Sequence, residues 1–142
     1  MLGCLHKMRR FWANKAGSNF AEFALVAPFL VLLTVGIIDI GRAMWSSSTI
    51  EHAARESARF ASLHGADAVS VATETSVASY ASDRATGLDT GAMNVTVTWE
   101  SNSNATGSSV TVEVDYDFDL LLSGFLGFDP VTLGSSSTMV IL

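Results

Sequence analysis

At 142 residues the chain has room for one small domain and an appended element, and with 49% hydrophobic against 15% charged residues it is apolar for a soluble domain. The net charge of -6 is divided unevenly: Lys7, Arg9, Arg10 and Lys15 are the fixed charges up to Gly17, and every acidic residue from Glu22 to Asp129 follows it. No cluster of Lys and Arg falls on the later part, which excludes a nucleic-acid footprint, and the lone Cys4 excludes an intramolecular disulfide.

Residues 1–17 read as a short basic leader that stays cytoplasmic under the positive-inside rule. Cys4 lacks the preceding apolar region that lipoprotein attachment needs. An ordinary secretory signal places its apolar region before a small-residue cleavage site. Here the order is reversed, because Gly17 precedes the uncharged run from Phe23 to Ile38. Cleavage between Gly17 and Ser18 would remove the leader and leave the apolar segment on the product. An uncleaved signal anchor is the alternative.

At about 1.5 Å per residue, Phe23 to Ile38 covers on the order of 24 Å, short of a bilayer core of roughly 30 Å. With its flanks the segment makes a full span, over about residues 20–45, with the N-terminus inside and the rest outside. Glu22 stands within this span. An intramembrane carboxylate costs roughly a few kcal/mol and usually takes a partner. Cleavage after Gly17 would create an α-amino group at Ser18. In a packed helical assembly that amine on one subunit can pair with Glu22 on a neighbour and fix the axial register. Alternatively, Glu22 sits at the interface near a helix N-terminus, where an acid is favoured.

Pro28 removes a backbone hydrogen bond and clashes with the carbonyl of Ala24, so a kink is expected. Gly36 and Gly41 allow close approach of neighbouring helices. Asp39 and Arg42, three apart, share a helix face at the outer edge of the span and can pair. Trp45 suits an interfacial anchor.

These residues carry a family resemblance. Gly17, four further residues and Glu22-Phe23 resemble the prepilin-peptidase motif of type IV pilins. Ile37-Ile38-Asp39-Ile40-Gly41-Arg42 and Ala53-Ala54-Arg55-Glu56-Ser57-Ala58-Arg59-Phe60-Ala61 resemble the TadE-like family of tight-adherence (Flp) pilus systems. The resemblance runs from Gly17 to Ala61, with Ser57 standing where the family's block would carry Gly. It implies a processing site at Gly17, Ser18, Glu22 and Phe23 cut by a prepilin peptidase, with N-methylation of the new terminus in some relatives. It further implies a minor-pilin or pseudopilin role in pilus assembly and surface attachment, starting from the bacterial inner membrane. The implied partners are the lipid bilayer, other pilins and pseudopilins, and an inner-membrane assembly platform.

Beyond the span, Ile50, Ala53, Ala54, Ser57, Ala58 and Ala61 recur at helical spacing as a narrow stripe of mostly small residues. Residues 18–64 thus read as one helix of about 70 Å, stopped by His64-Gly65. A second helix is expected over Asp67–Ala85, capped by Asp67, with Ala68, Val71, Ala72, Thr75, Ala78 and Ala81 toward the first. Thr86 to Gly91 is a loop. Period-two alternation predicts strands around Val95-Val97-Trp99 and Val110-Val112-Val114-Tyr116, joined by the polar stretch Ser101–Ser109. Val131–Leu142 reads as a third strand. Asn94 and Asn104 match the short N-glycosylation pattern by accident. Asp115, Asp117 and Asp119 read as a solvated strand face, without the Gly and Glu of a calcium loop. Leu120–Phe128 is too short to span a membrane and is expected to cover the sheet rather than stay exposed as a contact patch.

The expected fold class is therefore α+β: a leader (1–17), a long transmembrane, pilin-like helix (18–64), and an extracytoplasmic domain (65–142) with a second helix and a small antiparallel sheet of about three strands. No catalytic constellation, cofactor motif or metal-ligand spacing is legible, and His52 with Glu56, four apart, are two groups and do not make a metal site. The sequence points to a structural subunit rather than an enzyme. The alternatives are an uncleaved, signal-anchored envelope binding domain using the acidic strands, and, less favoured, an envelope enzyme.

Overall fold

A computed structural model describes residues 15–142 except Phe128. The leader through Asn14, with Cys4 and His6, lies outside the described residues. The chain divides into two compact units, one up to Ile38 and one from Asp39 onward. Helix α1 (Lys15–Leu63) continues through Pro28 without interruption. It ends where the His64 N–H turns back to the Ala61 carbonyl at 3.2 Å and the ring Nδ1 of His64 meets the Phe60 carbonyl at 2.8 Å.

Helix α2 spans Glu74–Arg84 and starts later than the sequence suggests. Thr73, not Asp67, is the cap. The Ser76 N–H donates to Thr73 Oγ1 (3.2 Å) and the Thr73 N–H to Ser76 Oγ (2.9 Å), a capping box that satisfies two helix-end groups. Residues 64–73 form a loop because their backbone groups bond elsewhere. The Ala66 N–H donates to the Asn104 carbonyl (2.8 Å), the Ala72 N–H to the His64 carbonyl (2.8 Å), and Asn104 Nδ2 to the Ala72 carbonyl (3.0 Å). Asp67 instead accepts a long bond from Thr106 Oγ1 at 3.4 Å. Within the expected second-helix stretch, Ala72 and Ala81 are buried as read, Val71 and Thr75 are exposed, and Val77 takes a buried place. Gly65 explains part of the loop path: a Cβ there would stand 2.5 Å from Ile141 Cγ2.

Strands β1 (Met93–Trp99), β2 (Ser109–Phe118) and β3 (Val131–Val140) form one antiparallel sheet in the order β1-β2-β3. The register pairs Val95 with Val114, Val97 with Val112, and Val112 with Ser137. On the outer face Thr111 and Thr138 share a hydroxyl hydrogen bond at 2.8 Å, and Thr132 Oγ1 donates to Asp117 at 2.8 Å. Where β1 leads into β2, the Glu100 carboxylate accepts from the Ser109 hydroxyl (2.8 Å) and the Ser109 N–H (3.1 Å). These two bonds hold the Glu100 carboxyl below the usual glutamate range.

The core forms where α1, α2 and β2 meet. Ile50, Ala54, Ala58 and Ala61 of α1 share one cluster with Val77 and Ala81 of α2, with Val110, Val112 and Val114 of β2, and with Ile141. Short alanines bring backbones close, while the valines and isoleucines supply most of the apolar surface removed from water. Ser57 is fully buried in this stripe, and its hydroxyl has no hydrogen-bond partner among the described residues. Substituting Ile50→Ala is expected to cost about 2–5 kcal/mol, through lost burial and a residual cavity. Ser57→Ala, which removes the orphan hydroxyl and improves helix propensity, is expected to stabilise the domain by about 1 kcal/mol. Denaturant unfolding of the detergent-solubilised chain checks both. A lower midpoint for Ser57→Ala would mean that the hydroxyl has a partner in solution.

Candidate functional site: the apolar helix and the Asp39 clamp

In the first unit the candidate feature is the helix surface. Phe20, Phe23, Leu25, Phe29 and Ile37 are between 62% and 83% exposed. At 100° per residue these positions, together with the exposed Val31, Leu32 and Leu33, point to all sides of the helix, so no polar face exists to meet water. The helix is long and apolar enough to cross a membrane. Gly17 and Ser18 lie in its first turns, and Glu22 is exposed one turn further on. Gly36 is half-buried.

In the second unit the centre is Asp39, only 2% exposed. Its Oδ1 accepts the Leu121 N–H at 2.9 Å and Oδ2 accepts the Leu122 N–H at 3.1 Å. Arg42 Nη1 donates to Oδ1 at 3.1 Å and reaches the Asp119 carbonyl at 3.4 Å. The Arg42 guanidinium also stands 5.0 Å from the centre of the Phe118 ring. Donors thus meet both carboxylate oxygens, which is the condition for burying a carboxylate without large cost. Asp39 and Arg42 do form an ion pair, as their spacing suggests, but the pair is only part of the site. The two backbone amides were not legible, because an N–H donor leaves no mark on side-chain pattern.

The segment held by this clamp differs from expectation. Its described part, Leu120–Gly127, does not simply cover the sheet, and Phe128 lies outside the described residues. The described part contains a one-turn helix, α3 (Ser123–Leu126), and leaves Leu121 and Leu126 exposed at 49% and 54%. Trp45, 52% exposed, approaches the turn at Gly87, where the backbone has φ +84° and a Cβ would meet the indole Cη2 at 2.8 Å. Gly41 has open space where a Cβ would stand. Phe60 stacks on Tyr80 with ring centres 4.6 Å apart, His64 lies 4.3 Å from Phe60 on its other contact, and Arg84 covers Tyr80 at 4.7 Å. This ladder joins α1 to α2. Among the described residues no three His, Cys, Asp or Glu side chains gather as a metal-ligand set.

The architecture defines a class: an apolar, membrane-length helix continuing into a small α+β domain. Residues 17–59 match the model of the TadE-like protein family, so over that segment, from the expected processing glycine into the buried stripe, the chain resembles that family. No curated protein and no solved structure matches the chain.

Asp39→Asn keeps the side-chain shape but leaves one acceptor oxygen where there were two. Hydrogen exchange at the Leu121 and Leu122 amides is expected to accelerate by about tenfold or more, with the β2 amides unchanged. Unchanged exchange at both leucines would show that the turn is held by something other than this carboxylate.

Proposed function

We propose that the chain is a pilin-like structural subunit, a minor pilin or pseudopilin, cut after Gly17 by a prepilin peptidase and assembled into a tight-adherence pilus that serves surface attachment. It is inserted in the bacterial inner membrane with the N-terminus cytoplasmic and residues 65–142 outside. Its partners are the peptidase, other pilins and pseudopilins, and an inner-membrane assembly platform. The observation that carries this reading is the coincidence of the TadE-like match, which begins at Gly17, with a helix whose apolar side chains are exposed on all sides.

The mechanism is exchange of surroundings. In the membrane the helix is covered by lipid; in the assembly, neighbouring helices replace lipid at the same apolar side chains. Small residues such as Gly36 and Gly41 favour close helix approach, and Pro28 sets a local bend. Glu22 receives the α-amino group of a neighbour's Ser18, and that charge pair selects one axial offset, because only one offset brings the two charges together. Phe23 completes the recognised site, and the Asp39–Arg42 pair marks the outer membrane edge of the helix.

Two measurements test this. Protein purified from membranes with and without a prepilin peptidase is expected to begin at Ser18 only when the peptidase is present. An intact Met1 in both samples would remove the processing step and leave a signal-anchored envelope domain. For Glu22→Ala, processing should change little while pilus assembly falls strongly; normal assembly would exclude the register role.

A further inference from the structure

We propose that the Leu120–Gly127 turn is a membrane-surface foot, which lays Leu121 and Leu126 into the outer interface of a phospholipid bilayer beside the point where α1 leaves it. The inference rests on α1 spanning the bilayer and on neither processing nor pilus assembly.

Asp39 directly follows Ile38, the last residue of the uncharged apolar run. In a bilayer the end of such a run marks the edge of the hydrocarbon, and the next charged residue lies in the headgroup region. The Leu121 and Leu122 amides bond to the Asp39 carboxylate at 2.9 and 3.1 Å, so their backbone is held at the depth of Asp39. The turn is internally fixed as well. Ser123 Oγ donates to the Leu120 carbonyl (2.6 Å), the Leu126 N–H to the Leu122 carbonyl (2.9 Å), and the Gly127 N–H to the Ser123 carbonyl (2.7 Å). A single ordered turn therefore presents two half-exposed leucines at interface depth, and this depth selects lipid as what covers them.

Charge narrows the lipid. The Arg42 side chain, 44% exposed and one turn beyond Asp39, stands at the height of a phosphate group. Asp119 and Asp129, both exposed, flank the turn and repel a strongly anionic surface. A zwitterionic phospholipid meets both conditions, and the contact is apolar rather than electrostatic, so it is insensitive to salt.

The test uses the full chain with Cys4→Ser in phosphatidylcholine nanodiscs. Single cysteines replace Leu126, Val31 or Ser136, each labelled with an environment-sensitive fluorophore and challenged with lipids carrying a nitroxide near the headgroup or deep in the chain. The label at position 31 should be quenched by the deep nitroxide. The label at 126 should be quenched by the shallow nitroxide at least about twofold more than the label at 136, at low and high salt alike. Adding Asp39→Asn should reduce the quenching at 126 and leave that at 31 unchanged. A label at 31 beyond the reach of the deep nitroxide would overturn the membrane span itself. A quenched 31 with a 126 label no closer to lipid than 136 would overturn the foot alone. A label at 126 that is shielded from water yet unquenched would assign the leucines to a neighbouring protein surface, which also overturns it.

Discussion

A carboxylate that is 2% exposed and adjoins an apolar run must find its donors within the protein, and at Asp39 that constraint organises the second unit. Arg42 alone, a half-exposed partner on the same helix, would leave a carboxylate oxygen unmet. The remaining donors come from Leu121 and Leu122, 82 and 83 positions further along the chain. Their commitment fixes the connection that follows β2, and with it the point from which β3 returns. Phe118 at the end of β2, buried and facing the Arg42 guanidinium, belongs to the same cluster. One carboxylate therefore ties a helix residue to the connection between β2 and β3.

Helix α1 uses opposite side-chain sizes along its length. Through Ile38 its exposed residues are large, and from Ile50 to Ala61 its buried residues are mostly alanine. In lipid, large apolar side chains need no protein partner, because the hydrocarbon is as apolar as they are. Against a sheet and a second helix the limit is distance: each alanine buries little area but lets the valines of β2 approach. Ser57 shows how tight the arrangement is. Its hydroxyl occupies a site sized for a small residue and finds no acceptor among the described residues, a cost that a glycine or alanine there would not carry.

The elements that repeat were legible in the sequence. The apolar helix follows from an unbroken uncharged run, the alanine stripe from a period of 3.6 and the first two strands from a period of 2, and the β1–β2 pairs fall where the valines alternate. What was not legible depends on distant backbone atoms. Asp67 and Thr73 are both acceptable helix caps, and Asn104, which draws the chain after Gly65 toward the sheet, tips the choice to Thr73. The same limit hid the partners of Asp39, since two leucine N–H groups look like any others. It also hid the Phe60–Tyr80 stack, because the Asp67 start had placed alanines rather than Tyr80 on the contact surface.

Asp39 and Glu22 are two acids on one helix, and the proposed mechanism gives them different tasks. For Asp39 the donors belong to the same chain, so its satisfaction does not change when lipid around the helix is exchanged for protein. In the proposed mechanism Glu22 also meets the amine of another subunit, a contact that forms only on assembly. In that mechanism a subunit that passes from membrane to fibre benefits from this division. The intramolecular clamp keeps the turn and sheet in place throughout the transfer, because none of its bonds needs lipid. The intermolecular pair, which depends on a neighbour at one offset, reports that the transfer has reached the correct register.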